Sequence, residues 1–268
     1  MWDPGKYRQF GKERSRPFYE LVSRIGAAEP ARVVDLGCGP GELTADLCRR
    51  WPSADALGID SSAEMIEAAD SVRAGLPADL RQRLRFELAD VTDWQPVSPV
   101  DVIVSNALLQ WIPEHEKLLP LWVNQLSVGG WLAFGIPGNY EQPTHALLRQ
   151  LAGMPRWRSA LKDVAFNRQA ADPAEYLDML AREGCDVDAW ETTYLHLLPA
   201  EEGKPHPVLA WMEGTALRPV KAALAGQPEQ LWEDFRAQLT VRLAVAYPVR
   251  HGVVAFPFRR IFVVARKR

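Results

Sequence analysis

The sequence predicts an α/β fold, a doubly wound seven-stranded sheet carrying a helical cap insertion. Three observations predict it. Seven short apolar or alternating runs recur along the chain, with stretches of helical period between the first and second, the second and third, and the fourth and fifth. A glycine-rich turn follows the first run directly. The first three runs close at or just before an aspartate: Asp35, Asp60 and Asp90.

The elements follow in order. Residues 14–26 read as a helix with an apolar face through Phe18, Leu21, Val22 and Ile25, starting near Arg16 so that Pro17 sits in its first turn. Arg32–Leu36 is a β-branched run ending in glycines, hence a buried strand and a tight turn. Leu43–Trp51 is helical and stops at Pro52; Asp55–Ile59 is the second strand. Ser62–Ala74 is a helix capped by Ser61 or Ser62, with Glu64 in its first turn. Arg85–Leu88 is the third strand. Val100–Ser105 is the fourth, apolar almost throughout, as a parallel strand covered on both faces should be. A helix from about Glu114 to Leu126 leads through Gly129-Gly130 to a fifth strand, Trp131–Ile136. Residues 138–183 look mostly helical, 185–198 alternate as a strand, 200–247 are helical again, and Arg259–Ala265 is the last strand. This layout gives an N-terminal helical segment, 1–29, closing over the ligand, a core of 30–198 and 257–268, and a cap of 199–256. In such a sheet the ligand lies at the carboxyl ends of the strands, where strand order switches.

Composition narrows the class. Apolar residues at 47% and charged ones at 24% are those of a folded globular chain, and the 268 residues suffice for a full core. A net charge of −3 with no long Lys or Arg run argues against a nucleic-acid partner, and Arg266-Lys267-Arg268 reads as a solvated terminus. Cys38, Cys48 and Cys185 lack metal-ligand spacing and read as free thiols in a reducing compartment, so no metal is expected. With no signal-peptide pattern and no apolar stretch long enough for a bilayer, the expectation is a cytoplasmic protein, a monomer or weak homodimer, with no membrane partner. Of the tryptophans, Trp51 and Trp122 fall on helical apolar faces and read as core; Trp111 follows a strand directly.

The turn Asp35-Leu36-Gly37-Cys38-Gly39-Pro40-Gly41 carries the chemistry. Glycines there permit positive φ and let a ligand approach the backbone. The spacing is G-x-G-x-G rather than G-x-G-x-x-G, and Glu42 would repel a dinucleotide diphosphate, which argues against a nicotinamide oxidoreductase. An adenosine bearing a sulfonium and an amino acid has no phosphate and fits better. Asp60 is placed to accept both ribose hydroxyls, and Asp90 the adenine amino group, with the Val91 backbone at the ring edge.

Asp35–Gly41, Gly58-Ile59-Asp60, Ala89-Asp90 and the strand Asp101–Ser105 resemble the motifs of the class I methyltransferases across residues 30–137. Glu13-Arg14-Ser15-Arg16-Pro17, Asn106-Ala107-Leu108-Leu109-Gln110-Trp111, Gly184–Asp188, Thr192–His196 and Leu217-Arg218-Pro219 extend the likeness almost end to end to the trans-aconitate 2-methyltransferase family. Departures fall mainly at about 150–170 and 199–208. The resemblance implies a Rossmann-like sheet, S-adenosyl-L-methionine as donor with S-adenosyl-L-homocysteine as product, and methylation of one carboxylate of a small polycarboxylic acid, trans-aconitate first. It adds Cys38, Ser61, Met65 and Asn106 to the cofactor contacts Asp35, Gly37, Gly39, Gly41, Asp60, Asp90 and Val91. Another small acid (a malonyl thioester or an isopropylmalate-like diacid) and a non-catalytic adenosylmethionine-binding module are the alternatives.

A carboxylate acceptor agrees with the residues. It is ionised at neutral pH and needs no general base. Attack on a sulfonium collapses two charges, which a dry aromatic wall favours. Trp111 is the candidate wall, or else a core residue. The non-reacting carboxylates call for arginine, whose planar fork pairs them bidentately. Among Arg14, Arg16, Arg218, Arg250, Arg259 and Arg260, the leading candidates are Arg16 and Arg218, each beside a proline. Arg16 serves equally well for the cofactor's own carboxylate. Tyr7, Tyr194 and His196 are hydrogen-bonding candidates, and His196 fits a satisfied buried histidine as well.

Overall fold

The computed structural model describes residues 11–164, 166 and 170–268, with side chains from Ser15 onward. Tyr7 and Arg14 as site candidates lie outside the described side chains. The first helix among the described residues, α1, spans Gly11–Ser23, so Pro17 lies in its interior rather than in its first turn, and the helix begins and ends earlier than its apolar face suggests. That face is nonetheless buried as expected: Phe18, Leu21, Val22 and Ile25 are all at most 5% exposed.

β1 (Arg32–Leu36), α2 (Glu42–Arg50), β2 (Asp55–Asp60), α3 (Ala63–Ala74) and β3 (Leu84–Leu88) follow the alternation read from the sequence. Ser62, not Ser61, caps α3, its hydroxyl accepting from the Met65 N–H. A further helix, α4 (Ala78–Arg83), precedes β3; it carries Arg83, whose Nη1 donates to the Ala54 carbonyl at 2.7 Å. β4 (Val100–Asn106) leads into a 3-10 turn at Leu109–Trp111. The expected helix 114–126 is broken: Glu114 adopts a left-handed φ of 56, His115–Lys117 forms a second 3-10 turn, and only Leu118–Gln125 is α-helical (α5). β5 (Leu126–Pro137) starts five residues before the apolar run at Trp131, because Gly129 and Gly130 are part of the strand and do not end it.

The sheet order is β3-β2-β1-β4-β5-β7-β6, with β6 at Cys185–Pro199 and β7 at Val253–Lys267. The chain steps from β1 outward to β2 and β3, then returns to the other side of β1 as β4, making the switch point lie between β1 and β4. Asp101 fixes the start of that pair: its Oδ2 accepts the N–H groups of Ala31 and Arg32 at 2.8 and 3.0 Å. β6 and β7 are antiparallel. Ala200 N–H reaches Gly252 O at one end of the pair and Arg268 N–H reaches Gly184 O at the other.

Two compact units divide the chain. The first comprises 1–137, 171–191 and 261–268 and contains β1 to β5; its core is built on Val102, Ile103, Val104, Leu132, Phe134 and Ile261–Ala265. It also holds α8 (Pro173–Arg182). The second comprises 138–170 and 192–260. The region 199–256 read as a cap lies inside this larger unit, together with the helices of 138–170. These are α6 (Pro143–Ala152) and α7 (Pro155–Leu161), joined by α9 (Pro207–Glu213), α10 (Arg218–Leu224) and α11 (Glu229–Ala246). Within it the buried Trp157 donates its indole N–H to Leu231 O at 3.2 Å and meets Phe235 edge-on at 5.5 Å. Trp51 and Trp122 are core, at 3% and 1% exposure. No helix among the described residues is long and apolar enough to cross a membrane.

Candidate active site

The glycine turn is fixed by its neighbours. Gly37 and Cys38 donate their N–H groups to Ile59 O at 2.8 and 2.9 Å, so the end of β1 is tied to the end of β2. Gly37, Gly39 and Gly41 all have positive φ, at 80, 55 and 84. Their surroundings differ. A Cβ on Gly37 would lie 2.9 Å from Leu108 Cβ, and one on Gly41 would lie 2.6 Å from the Phe86 ring and 2.7 Å from Ala69 Cβ. Both are glycine because the turn is packed against other elements. At Gly39 a Cβ would meet nothing within 4 Å among the described residues. That is the side left open to a ligand.

The three aspartates do different work. Asp35, one residue before the end of β1, is 3% exposed and accepts the Thr44 hydroxyl at 2.7 Å. Burial pushes its pKa up to about 7; the Thr44 hydrogen bond opposes this, and the Asp60 charge adds to it. Asp60 accepts Gly39 N–H on Oδ2 at 3.0 Å and Ser62 N–H on Oδ1 at 2.9 Å. It therefore holds the open glycine and starts α3, and its remaining lone pairs are available to hydroxyl donors. Burial raises its pKa, with the backbone N–H donors opposing. Asp90 is exposed and closes its own turn, Oδ1 accepting from Thr92 N at 2.9 Å and Thr92 Oγ1 at 2.8 Å. Val91 beside it is buried, as is Met65 in the first turn of α3, while Ser61 is exposed.

A cavity of about 50 Å³ opens beside this turn, with Phe18, Asp35, Gly37, Cys38 and Asn106 among its walls. The Asn106 Oδ1 is buried on the side of Gly135, 3.1 Å from where a Cβ on that glycine would stand, and has no hydrogen-bond partner among the described residues. An acid and an amide among the walls of one cavity are suited to a cationic donor such as an ammonium group. An amino-acid-bearing adenosine fits the set: acceptors for its amine, an open glycine, and a carboxylate at the end of β2 for its ribose.

The residues proposed for the acceptor belong to both units. Trp111 ends the turn after β4 and is half-buried. Arg16 lies on the exposed face of α1, its Nε 2.8 Å from Glu20 Oε1. In the second unit, Tyr194 and His196 are buried and stack nearly parallel, with centroids 6.2 Å apart. His196 also stacks on Trp211 at 5.1 Å, the environment of a histidine packed into an aromatic cluster. Arg218 is the first residue of α10 and half-buried.

Comparison with known proteins gives the family. Residues 33–130 match a family model described as a methyltransferase domain. The trans-aconitate 2-methyltransferase of Rhodococcus jostii is 52% identical over 99% of both chains. That of Mycolicibacterium gilvum is 48% identical with the same coverage, and that of Mycobacterium tuberculosis 47% identical over 99% of this chain and 96% of its own. This chain belongs to the trans-aconitate 2-methyltransferase family. It is an S-adenosylmethionine-dependent methyltransferase. The fold is shared far more widely. The YcgJ protein of Bacillus subtilis superposes with a TM-score of 0.58 at 16% identity, covering 94% of this chain and 97% of its own. A Haemonchus contortus phosphoethanolamine N-methyltransferase, solved with S-adenosylhomocysteine, gives 0.55 at 15%, covering 94% and 52%.

Within this trans-aconitate 2-methyltransferase homologue, several residues around the site went unnoticed in the sequence. Thr44 holds Asp35, Phe86 and Ala69 back Gly41, and Leu108 backs Gly37. Gln110 Nε2 donates to Ala107 O at 2.6 Å. His115 pairs with Tyr176, far along the chain, at 2.7 Å. No local pattern announces any of these, since each is defined by a partner on another element or across a turn.

Proposed function

We propose that this chain transfers a methyl group from S-adenosylmethionine to one carboxylate of trans-aconitate, by direct displacement and without a protein base. The observation that carries this reading is the identity of about half to trans-aconitate 2-methyltransferases over nearly the whole chain, cap region included. Bound S-adenosylmethionine supplies an electrophilic methyl group on a sulfonium.

The chain's own groups do the rest. Asp60 orients the ribose through its hydroxyls, and Asp90 with the Val91 backbone receives the adenine edge. Gly39 leaves room for the cofactor, with Cys38 and Gly41 shaping the same turn and Ser61 and Met65 flanking it. Asp35 and Asn106 accept from the methionyl ammonium. Trp111 keeps water from the reacting carboxylate, so that opposite charges meet in a poorly solvated setting. Arg218 pairs a non-reacting carboxylate, with Tyr194 and His196 as further donors and Arg16 as an alternative cation. No residue in this set acts as a general base.

The test is incubation with a labelled methyl donor and a panel of small acids, including a malonyl thioester and an isopropylmalate-like diacid, read by mass spectrometry. A monomethyl ester of trans-aconitate is expected as the main product, at a rate flat from pH 6 to 8 with saturating donor. A stronger signal from another acid reassigns the acceptor. No labelled product from any acid, despite donor binding, makes the chain a binding module.

A further inference from the structure

The segment that carries Trp111 is bracketed by strain. Ala107, immediately after β4, has φ 58, and Glu114 has φ 56; neither is glycine. A non-glycine residue in the left-handed region is strained, so both must be held there by their surroundings. Ala107 is held on both sides. Its N–H donates to Gly135 O at 2.8 Å, and its carbonyl accepts Gln110 Nε2 at 2.6 Å. The other end is held from further away. His115, 2% exposed, hydrogen-bonds the Ile112 carbonyl, one residue past Trp111, and its Nε2 lies 2.7 Å from the Tyr176 hydroxyl.

Burial keeps the imidazole neutral, even with a Glu116 oxygen 3.6 Å from Nε2. A neutral ring has one donor and one acceptor. The donor goes to Ile112, so Nε2 accepts from the tyrosine. Tyr176 is itself fully buried on α8, accepts from the Ala171 backbone N–H and packs edge-on against Phe134 of β5 at 5.1 Å. A chain of hydrogen bonds thus runs from Ala171 through Tyr176 and His115 to the backbone beside Trp111.

We infer that His115 and Tyr176 form a clasp that positions the Trp111 segment for methyl transfer, with Gln110 securing its other end at Ala107. These are positioning residues, and the inference rests on the reading of Trp111 as the acceptor wall. The same segment carries Leu108 against Gly37, so its placement also fits the glycine turn. The clasp fixes where the indole stands between two strained residues that would otherwise relax.

Tyr176→Phe tests this with little disturbance, because it deletes only the hydroxyl and keeps the ring on Phe134. With 5-fluorotryptophan incorporated, the Trp111 fluorine resonance is assigned by its loss in Trp111→Phe. In Tyr176→Phe that resonance is expected to shift or broaden while those of Trp51, Trp122 and Trp157 hold position. His115→Gln, which can still accept from Tyr176, should restore more of the wild-type line than His115→Leu. The kinetic arm is a drop of about tenfold in kcat/KM for trans-aconitate, with the Kd for S-adenosylhomocysteine within twofold of wild type. An unchanged Trp111 resonance in Tyr176→Phe overturns the clasp, as does a shift shared by all the tryptophans. If the wild type does not turn over trans-aconitate, the acceptor reading fails by itself, and the fluorine arm still decides the clasp.

Discussion

At the scale of single residues, Asp35 and Asp60 look alike in the sequence and diverge in the structure. Asp60 holds backbone and keeps acceptor capacity for a ribose, so Asp60→Asn, which retains one carbonyl oxygen, should weaken S-adenosylhomocysteine binding by the ~1.5–3 kcal/mol of charge-assisted hydrogen bonds, read by calorimetry. Unchanged affinity would remove Asp60 from the cofactor site. Asp35 gives a pH signature instead. Its folded pKa of about 7 lies above the 3.8 of an unperturbed aspartate, so between these pH values the folded state keeps a proton that the unfolded chain has lost. Its contribution to stability is therefore fully present below about pH 4 and is lost as pH rises through 7, by ~4 kcal/mol at most. Asp35→Asn should flatten that part of the stability–pH curve, measured by urea unfolding from pH 4 to 8. It should also abolish a weakening of S-adenosylhomocysteine binding from pH 8 to 6, because below pH 7 the neutral acid no longer attracts the ammonium.

Among the elements, the glycine turn separates packing from ligand space. Gly41→Ala combines a left-handed φ of 84 with a Cβ 2.6 Å from the Phe86 ring, so it should lower the unfolding free energy by roughly 1–3 kcal/mol or more in urea. Gly39→Ala has no such clash and should cost stability only the ~1–2 kcal/mol of the left-handed conformation, yet it should lose cofactor affinity because its methyl enters the open side. Equal loss of binding in both variants, with equal loss of stability, would contradict this division. The helices of the second unit, together with α8 of the first, show how local signals set boundaries. Pro143, Pro155, Pro173 and Pro207 each open a helix, where a missing N–H costs nothing, and Asp172 with Glu175 makes a capping box on α8. The sequence reading left 138–183 and 200–247 as mostly helical, so these starts come from the structure. Pro17 was misplaced because its helix extends further toward the N-terminus than its apolar face does.

For the molecule as a whole, selectivity for a polycarboxylate is expected to depend on Arg218. Arg218→Met keeps much of the side-chain length and removes the fork. It should raise KM for trans-aconitate by the ~2–5 kcal/mol typical of stranding a buried charge partner, with cofactor affinity little changed. Wild-type discrimination between a tricarboxylate and a monocarboxylate in this variant would exclude Arg218 and direct attention to Arg259.

The sequence by itself determined the strands, the switch-point turn and the cofactor class. These depend on short-range signals: apolar period, positive φ at three glycines, and aspartates at strand ends. It also showed which side chains are core when they lie on one clear face, as with Phe18, Leu21 and Trp122. Only the tertiary structure decided that Asp35 is sealed in with Thr44 while Asp60 braces the turn, that Gly37 and Gly41 are glycine for lack of room, and that His115 reaches Tyr176. Burial and hydrogen-bond partnership are properties of pairs brought together by folding, and the separation of such partners along the chain leaves no periodic trace in it.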